Sequence, residues 1–370
     1  MTGSTIIPVV MPKWGLSMRE GRLAAWLAAQ GATINPGDSI LEVETDKIAG
    51  TVEATEGGIL RRVVGEPDTV YPVKALLGVM ADASVPDAEI DAFVAAYVTP
   101  SADEDEGDQG PKYEHVDIDA GRIRYAKRGE SGDAVILVHG FGGDADNWLF
   151  NIDALAEEAT VYALDLPGHG QSSKGMGNPS LKAMTTALAQ FMDALGIDSA
   201  HLVGHSMGGA IAMQMAADHA GKVKSMSLIC SAGLGAEIGN YVDRFIAAQG
   251  RKDLKPVLEM LFADRSLVSR QLVDDVLKYK RLDGVDPFLK ALGASLFGGG
   301  KQQDAPGKAV GAAASKAMVI WGGKDEVIPA AHANALPGAK VHVFEDAGHM
   351  VFMEKAGDVN ALVKAHIAGH

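Results

Sequence analysis

The chain reads as two folded domains: a small all-β sandwich, then an α/β domain with a doubly wound, mostly parallel sheet and a helical cap. Three observations predict this. A length of 370 residues exceeds one ordinary domain. The first eighty or so residues run in short alternating apolar stretches broken by Gly, Pro and Asp, and they repeat at an offset near 37. From about residue 113, strand-like and helical patterns alternate, and a serine, an aspartate and a histidine follow three of the strands in that order.

Bulk properties narrow the setting. Hydrophobic residues make up 47% of the chain, enough for real cores. No apolar run is long enough to span a bilayer and no signal-like start is present, so no membrane partner is expected. Cys230 is the only cysteine, which excludes an intrachain disulfide and suits a reducing cytoplasm; it reads as a buried small side chain. The net charge is −15, and residues 1–110 hold 7 Lys and Arg against 18 Asp and Glu, a net of −11. Nucleic acid is therefore not an expected partner.

The first domain, residues 1–82, is built on its repeat. Gly21-Arg22-Leu23-x-x-Trp26 matches Gly58-Ile59-Leu60-x-x-Val63, and Ile40-Leu41-x-Val43 matches Leu76-Leu77-x-Val79. Two such halves predict a sandwich with pseudo-two-fold symmetry. Between them, Val43-Glu44-Thr45-Asp46-Lys47-Ile48-Ala49-Gly50 reads as a turn joining two strands. With Met11-Pro12, Gly15 and the Gly37-Asp38 turn, this segment resembles a lipoyl domain over about residues 4–82. The resemblance implies lipoate attached by an amide to Lys47. A lysine on a hairpin tip is exposed and long enough to carry a swinging arm. Biotin domains share the architecture but flank their lysine with methionines, whereas Asp46 and Ile48 flank Lys47.

Residues 83–112 read as one short amphipathic helix over 86–98 and then an acidic, flexible linker over 99–111. Ile90, Phe93, Val94 and Tyr97 share the helix's apolar face. No peripheral subunit-binding domain is visible here. The short linker holds the carrier domain close to its neighbour, at an effective concentration of about millimolar.

Residues 113–370 form the second domain, opening with strands expected over Glu114–Ile118 and Gly121–Lys127. In Gly204-His205-Ser206-Met207-Gly208 a strand-like run meets a helical run of small residues. A nucleophile elbow needs this pattern, because the strained turn tolerates only small flanking residues. Asp325 follows the strand Ala317–Ile320 and His349 follows the strand Lys340–Phe344. His139-Gly140-Phe141-Gly142-Gly143 ends the run Ala134–Val138. In this order and placement, the segments resemble the α/β-hydrolase superfamily. The resemblance implies a catalytic triad of Ser206, Asp325 and His349, with an oxyanion hole from the N–H groups of Phe141 and Met207. Asp346 is the rival acid, and Asp325 is preferred because it follows its strand where the family places that residue. His139, His169 and His205 are expected to bond loop backbone. No metal ligands are assigned. Residues from about 233 to 314 break the strand–helix rhythm and read as the cap, with helical stretches over Asp253–Phe262, Leu267–Tyr279 and Pro287–Leu296.

Joining these two domains in one chain resembles the dihydrolipoamide acetyltransferase component of acetoin dehydrogenase complexes. That implies an acetyl group moved from dihydrolipoamide to coenzyme A through a serine ester. The partners so implied are a thiamine-diphosphate-dependent acetoin-cleaving enzyme and a dihydrolipoamide dehydrogenase, with self-association in a complex. Other acyltransferases of this kind use an H-x-x-x-D-G motif; His115 and Asp119 have its His–Asp spacing but lack the glycine, and the match reads as chance. The alternative is an esterase or thioesterase of the same fold with an appended carrier domain, since one triad serves both. A non-catalytic scaffold is disfavoured by the intact triad.

Overall fold

The computed structural model describes residues 6–12, 20–44, 49–54, 56–100, 113–298 and 300–370. The chain divides into two compact units, the first comprising residues 1–110 with 269–272 and the second residues 111–268 and 273–370. Among the described residues no helix is long and apolar enough to cross a membrane.

Among the described residues, eight strands build the first unit: β1 (Ile6–Val10), β2 (Glu20–Trp26), β3 (Thr33–Ile34), β4 (Ser39–Glu44), β5 (Ala49–Glu53), β6 (Gly58–Val63), β7 (Thr69–Pro72) and β8 (Leu76–Ala81). They form two four-stranded sheets, ordered β1-β8-β6-β3 and β5-β4-β2-β7. Each strand of the first half maps onto the strand four places later, and this exchange turns one sheet order into the other. The repeat reaches the irregularities too. A register shift falls between Leu23 and Ala25 against β4, and its counterpart falls between Leu60 and Arg62 against β8. Leu23, Leu41, Leu60 and Leu77 are fully buried in the shared core. Gly78 has no room for a side chain, because a Cβ there would lie 2.8 Å from the Trp26 ring and 2.9 Å from the Arg62 carbonyl oxygen.

The hairpin β4–β5 closes at the register pair Glu44 and Ala49. Lys47, with Thr45, Asp46 and Ile48, lies outside the described residues, as do Gly15 and the acidic run 101–112. The expected helix is α1 (Asp87–Ala96), with Pro86 as its N-cap. It packs onto the sandwich: Ile90, Phe93, Val94 and Tyr97 cover Leu76, Val79 and Ala81. Arg61 and Arg62 pair with Asp87, and Arg62 also pairs with Asp91.

The second unit holds one eight-stranded sheet. Its strands are β9 (Tyr113–Ile118), β10 (Gly121–Arg128), β11 (Ala134–Val138), β12 (Thr160–Leu164), β13 (Ala200–His205) and β14 (Val223–Ile229). After the two-residue ribbon β15 (Phe297–Gly298) and β16 (Lys301–Gln302) come β17 (Ala317–Gly322) and β18 (Lys340–Phe344). The order is β18-β17-β14-β13-β11-β12-β10-β9. β10 runs antiparallel to both its neighbours, β9 and β12, and the strands from β12 to β18 run parallel. Every residue of β13 and of β17 is buried, the pattern of strands covered on both faces. The chain leaves β11 for β12 on one side and returns to β13 on the other. The carboxyl ends of β11 and β13 therefore flank a topological switch point, where open α/β sheets bind ligands.

Helices α2 (Ile152–Leu155), α3 (Leu181–Ala194) and α4 (Met207–Asp218) precede the cap, and α4 packs against α3, β13 and β14. The cap contains α5 (Tyr241–Ala247), α6 (Arg251–Leu258), α7 (Arg270–Lys280) and α8 (Val285–Leu296). Its helices differ in detail from the sequence expectation. α6 ends at Leu258 and passes into a 3₁₀ turn over Glu259–Leu261. α7 begins at Arg270 rather than Leu267, because the Ser269 hydroxyl accepts the Leu272 N–H at 3.0 Å. After β18 come α9 (Val351–Glu354) and α10 (Ala356–Ala368).

Candidate active site

Ser206 stands between β13 and α4 with φ 53° and ψ −116°, a strained conformation for a residue with a side chain. Backbone contacts hold it there. Its N–H donates to the Ile229 carbonyl at 2.9 Å, and its own carbonyl accepts from Gly209 and Ala232 at 3.0 and 2.9 Å. The flanking glycines are required by space. A Cβ on Gly204 would lie 2.4 Å from the Gly208 carbonyl oxygen, and one on Gly208 would lie 2.0 Å from the Val138 carbonyl oxygen. Met207 is the first residue of α4, so its N–H has no partner within the helix and sits at the positive end of the helix dipole.

The loop after β11 approaches the same point. A Cβ on Gly140 would lie 3.1 Å from the Ser206 Cβ, so the backbone leading to Phe141 passes directly beside the serine. The Phe141 ring is held edge-on by His169, Phe245 and Phe297, with centroids 6.4, 6.2 and 6.2 Å away. Beside Met207 is a cavity of about 10 Å³, lined mainly by Leu181, Ala210, Ala232, Leu296 and Phe297.

His349 and Asp325 meet at the ends of β18 and β17. His349 Nδ1 lies 2.8 Å from Asp325 Oδ2, and both side chains are buried. Asp325 Oδ1 accepts the N–H groups of Val327 and Ile328 at 2.8 and 2.9 Å, which fixes the carboxylate plane. Asp346 lies elsewhere: it is exposed and bonds the Lys355 ammonium at 2.7 Å. His115 is exposed on the edge strand β9.

The three other motif histidines bond backbone. His139 joins its Nδ1 to the Gly140 carbonyl at 2.8 Å and accepts the Leu166 N–H on Nε2 at 3.0 Å. His169 Nδ1 donates to the Pro167 carbonyl at 3.1 Å, and His205 Nε2 donates to the His349 carbonyl at 3.1 Å. Burial pushes the His139 pKa down to about 4 and holds His169 and His205 well below the ordinary value. The loop holding His169 is anchored by a buried ion pair. Arg124 Nε donates to Asp165 Oδ2 at 2.6 Å, and the Asp165 carboxylate also accepts the N–H groups of Ala145 and Gln171.

Two residues at the site were not visible as site residues in the sequence. Cys230 follows β14 with φ 43°, and its sulfur lies within 4.8 Å of the facing Asp325 and His349 atoms. Burial and the Asp325 carboxylate push its thiol pKa well up, so it is a neutral neighbour of that pair. Glu354 is half-buried and accepts N–H groups from Gly348 at 2.7 Å and Ala263 at 2.8 Å, tying the histidine loop to the cap. Both roles depend on contacts made across the fold, for which no local motif exists.

Comparison with known proteins adds whole-chain relatives. Residues 133–356 match the alpha/beta hydrolase fold family, and residues 7–79 match the family of biotin-requiring enzymes, which groups biotin and lipoyl domains. The chain is similar to the dihydrolipoyllysine-residue acetyltransferase component of the acetoin cleaving system of Cupriavidus necator. Identity is 55% over 367 residues, covering 99% of this chain and 98% of the relative. The Pseudomonas putida component of the same description is 46% identical over 371 residues, covering 99% and 100%. Among solved structures, a meta-cleavage product hydrolase from Pseudomonas fluorescens, complexed with acetates, superposes with a TM-score of 0.63 at 26% identity. It covers 69% of this chain and 97% of that one.

Proposed function

Because the chain belongs to the family of dihydrolipoyllysine-residue acetyltransferase components of acetoin cleaving systems, we propose that it passes an acetyl group from dihydrolipoamide to coenzyme A through an ester on Ser206. The observation that carries this reading is the buried 2.8 Å contact of His349 with Asp325, with the His349 carbonyl bonded to His205, the chain neighbour of the strained Ser206. Lys47 would hold lipoate as an amide, and the strands on either side fit that role by closing a hairpin at Glu44 and Ala49. When bound, that group supplies a thiol that carries the acetyl as a thioester.

The chain's own residues then do the following. His349 Nε2 takes the Ser206 hydroxyl proton as the serine oxygen bonds to the thioester carbonyl carbon. The N–H groups of Met207 and Phe141 hold the oxyanion, each worth about a hundredfold or more in rate. As the carbon–sulfur bond breaks, His349 gives its proton to the leaving sulfur. In the second half, His349 takes the proton of the coenzyme A thiol as that sulfur attacks the ester, and returns it to Ser206. Asp325 keeps the Nδ1 proton in place and stabilises the imidazolium. Asp325 is favoured over Asp346 because Asp346 is occupied by Lys355 at the surface.

Membership of an acetoin cleaving system brings the partners: a thiamine-diphosphate enzyme that cleaves acetoin and a dihydrolipoamide dehydrogenase that reoxidises the arm, in a self-associated cytoplasmic complex. The test is an acyl-partition assay on S-acetyl-dihydrolipoamide with and without coenzyme A. Acetyl-CoA as the main product, lost in Ser206→Ala, is the expected result. Free acetate formed at a rate indifferent to coenzyme A would make the chain a thioesterase instead.

A further inference from the structure

Coenzyme A is a polyanion, and a chain of net charge −15 repels it unless a local positive site takes its phosphates. The cap differs from the rest of the chain in this respect: residues 233–314 hold 12 Lys and Arg against 10 Asp and Glu. On the cap, between the end of α5, the end of α7 and the start of α8, lies a cleft of about 350 Å³ lined by Gln249, Leu277, Lys280, Arg281, Leu282 and Pro287, among others. We propose that this cleft binds the nucleotide end of coenzyme A, with Lys280 and Arg281 facing its phosphates and the apolar wall of Leu277, Leu282 and Pro287 facing its adenine. The inference rests on the transfer reading above.

Four features support it. Lys280 is 7% exposed, yet its ammonium is hydrogen-bonded to the carbonyls of Phe245 and Ile246, with Asp286 acting on it only through space. Burial pushes that ammonium below the ordinary lysine pKa, so an added anion would favour its charged form. Arg281 is exposed and makes no ion pair among the described residues, which leaves a planar, multi-donor group free for a phosphate. Of the two carboxylates in the cleft, Asp286 is already bonded to Lys290 at 2.7 Å, leaving Asp283 alone against the cations.

The position also suits a two-ended ligand. The Lys280 ammonium lies 4.6 Å from the Phe245 ring centroid, and Phe245 lies 6.2 Å from the ring of Phe141, the residue whose backbone N–H is proposed to hold the oxyanion. A nucleotide held at Lys280 is thus one aromatic ring removed from the reacting end. The pantetheine arm is longer than that path.

The test uses the full chain and two readouts. Adenosine 3′,5′-bisphosphate is titrated by calorimetry into the parent, into Arg281→Glu and into Lys308→Glu, which makes the same charge change on an exposed cap residue outside the cleft. Acetyl transfer is then measured with coenzyme A and with pantetheine, which lacks the nucleotide. The expected result is binding to the parent and to Lys308→Glu, at least tenfold weaker in Arg281→Glu. The KM for coenzyme A rises in step in Arg281→Glu, while kcat/KM for pantetheine stays within twofold. No binding to the parent, or equal loss in both variants, overturns the assignment. A parent that acetylates neither thiol refutes the transfer reading, and calorimetry, which needs no turnover, still decides the cleft.

Discussion

Replacing Asp325 by asparagine removes one charge and almost no volume, yet the surrounding bonds dictate a large loss of activity. Two backbone N–H groups, from Val327 and Ile328, point at one side-chain oxygen, so the asparagine carbonyl must sit there. Its amide nitrogen then faces His349 Nδ1, where Asp325 Oδ2 stood at 2.8 Å. An N–H cannot receive the Nδ1 proton, so the imidazole must carry its proton on Nε2 instead. That is the nitrogen proposed to accept from Ser206, and the base is lost by tautomer rather than by removal. In serine hydrolases the equivalent change costs about ten-thousandfold in kcat, which is about 5.4 kcal/mol at 1.36 kcal/mol per decade. The assay is acetyl-CoA formation from S-acetyl-dihydrolipoamide, with melting temperature as the control for folding. Both backbone bonds survive in the variant, so its stability should stay near that of the parent. Asp346→Asn, acting on a surface pair with Lys355, should leave the rate within twofold. Retention of a tenth or more of the activity in Asp325→Asn, or a comparable fall in Asp346→Asn, would refute the assignment of the acid.

Other outcomes follow from packing and charge. Arg124→Met strands Asp165 in the interior with its N–H donors but no cation. It should lower urea stability by about 3–5 kcal/mol, and a loss below about 1 kcal/mol would mean that water reaches the pair. Gly208→Ala sets a Cβ 2.0 Å from the Val138 carbonyl oxygen and should abolish activity with a clear drop in melting temperature, whereas Gly175→Ala meets nothing within 4 Å and should be neutral in both. Acid should destabilise the α/β unit early. The His139 pKa is about 4 in the fold and about 6.5 unfolded, so the unfolded chain binds more protons as pH falls through that window. Stability is full above the unfolded value, and at pH 5 His139 alone should have cost about 2 kcal/mol, with His169 and His205 acting in the same direction. Urea midpoints at pH 7 and pH 5 that agree would count against buried, neutral imidazoles.

What could be read before folding and what could not divide by the range of the interactions involved. The elbow at Ser206 was legible because its constraint is local: a residue at φ 53° between two turns of chain leaves no room for Cβ at Gly204 or Gly208, and the glycines record that. The 37-residue repeat was legible for a related reason. Each half carries its own alternation and its own bulge, and the pairing of Leu23 with Val43 is reproduced at Leu60 with Met80. Glu354 had no such signal. A glutamate on a short helix looks like a solvated charge until the fold brings Gly348 and Ala263 to its two oxygens. Cys230 looked like core and is core, but core whose neighbours are Asp325 and His349. The cap was the least legible part, because its helices are placed by contacts with the rest of their unit rather than by their own pattern. α5 went unread, and its Phe245 is the ring that links Phe141 to Lys280. The proposed chemistry of the chain thus sits in turns that a sequence records residue by residue, whereas the proposed selection among thiol acceptors would sit in a cap surface assembled from three helices. Divergence among relatives with one triad should therefore concentrate in that cap, and exchanging its residues should change KM between coenzyme A and pantetheine before it changes the rate with pantetheine.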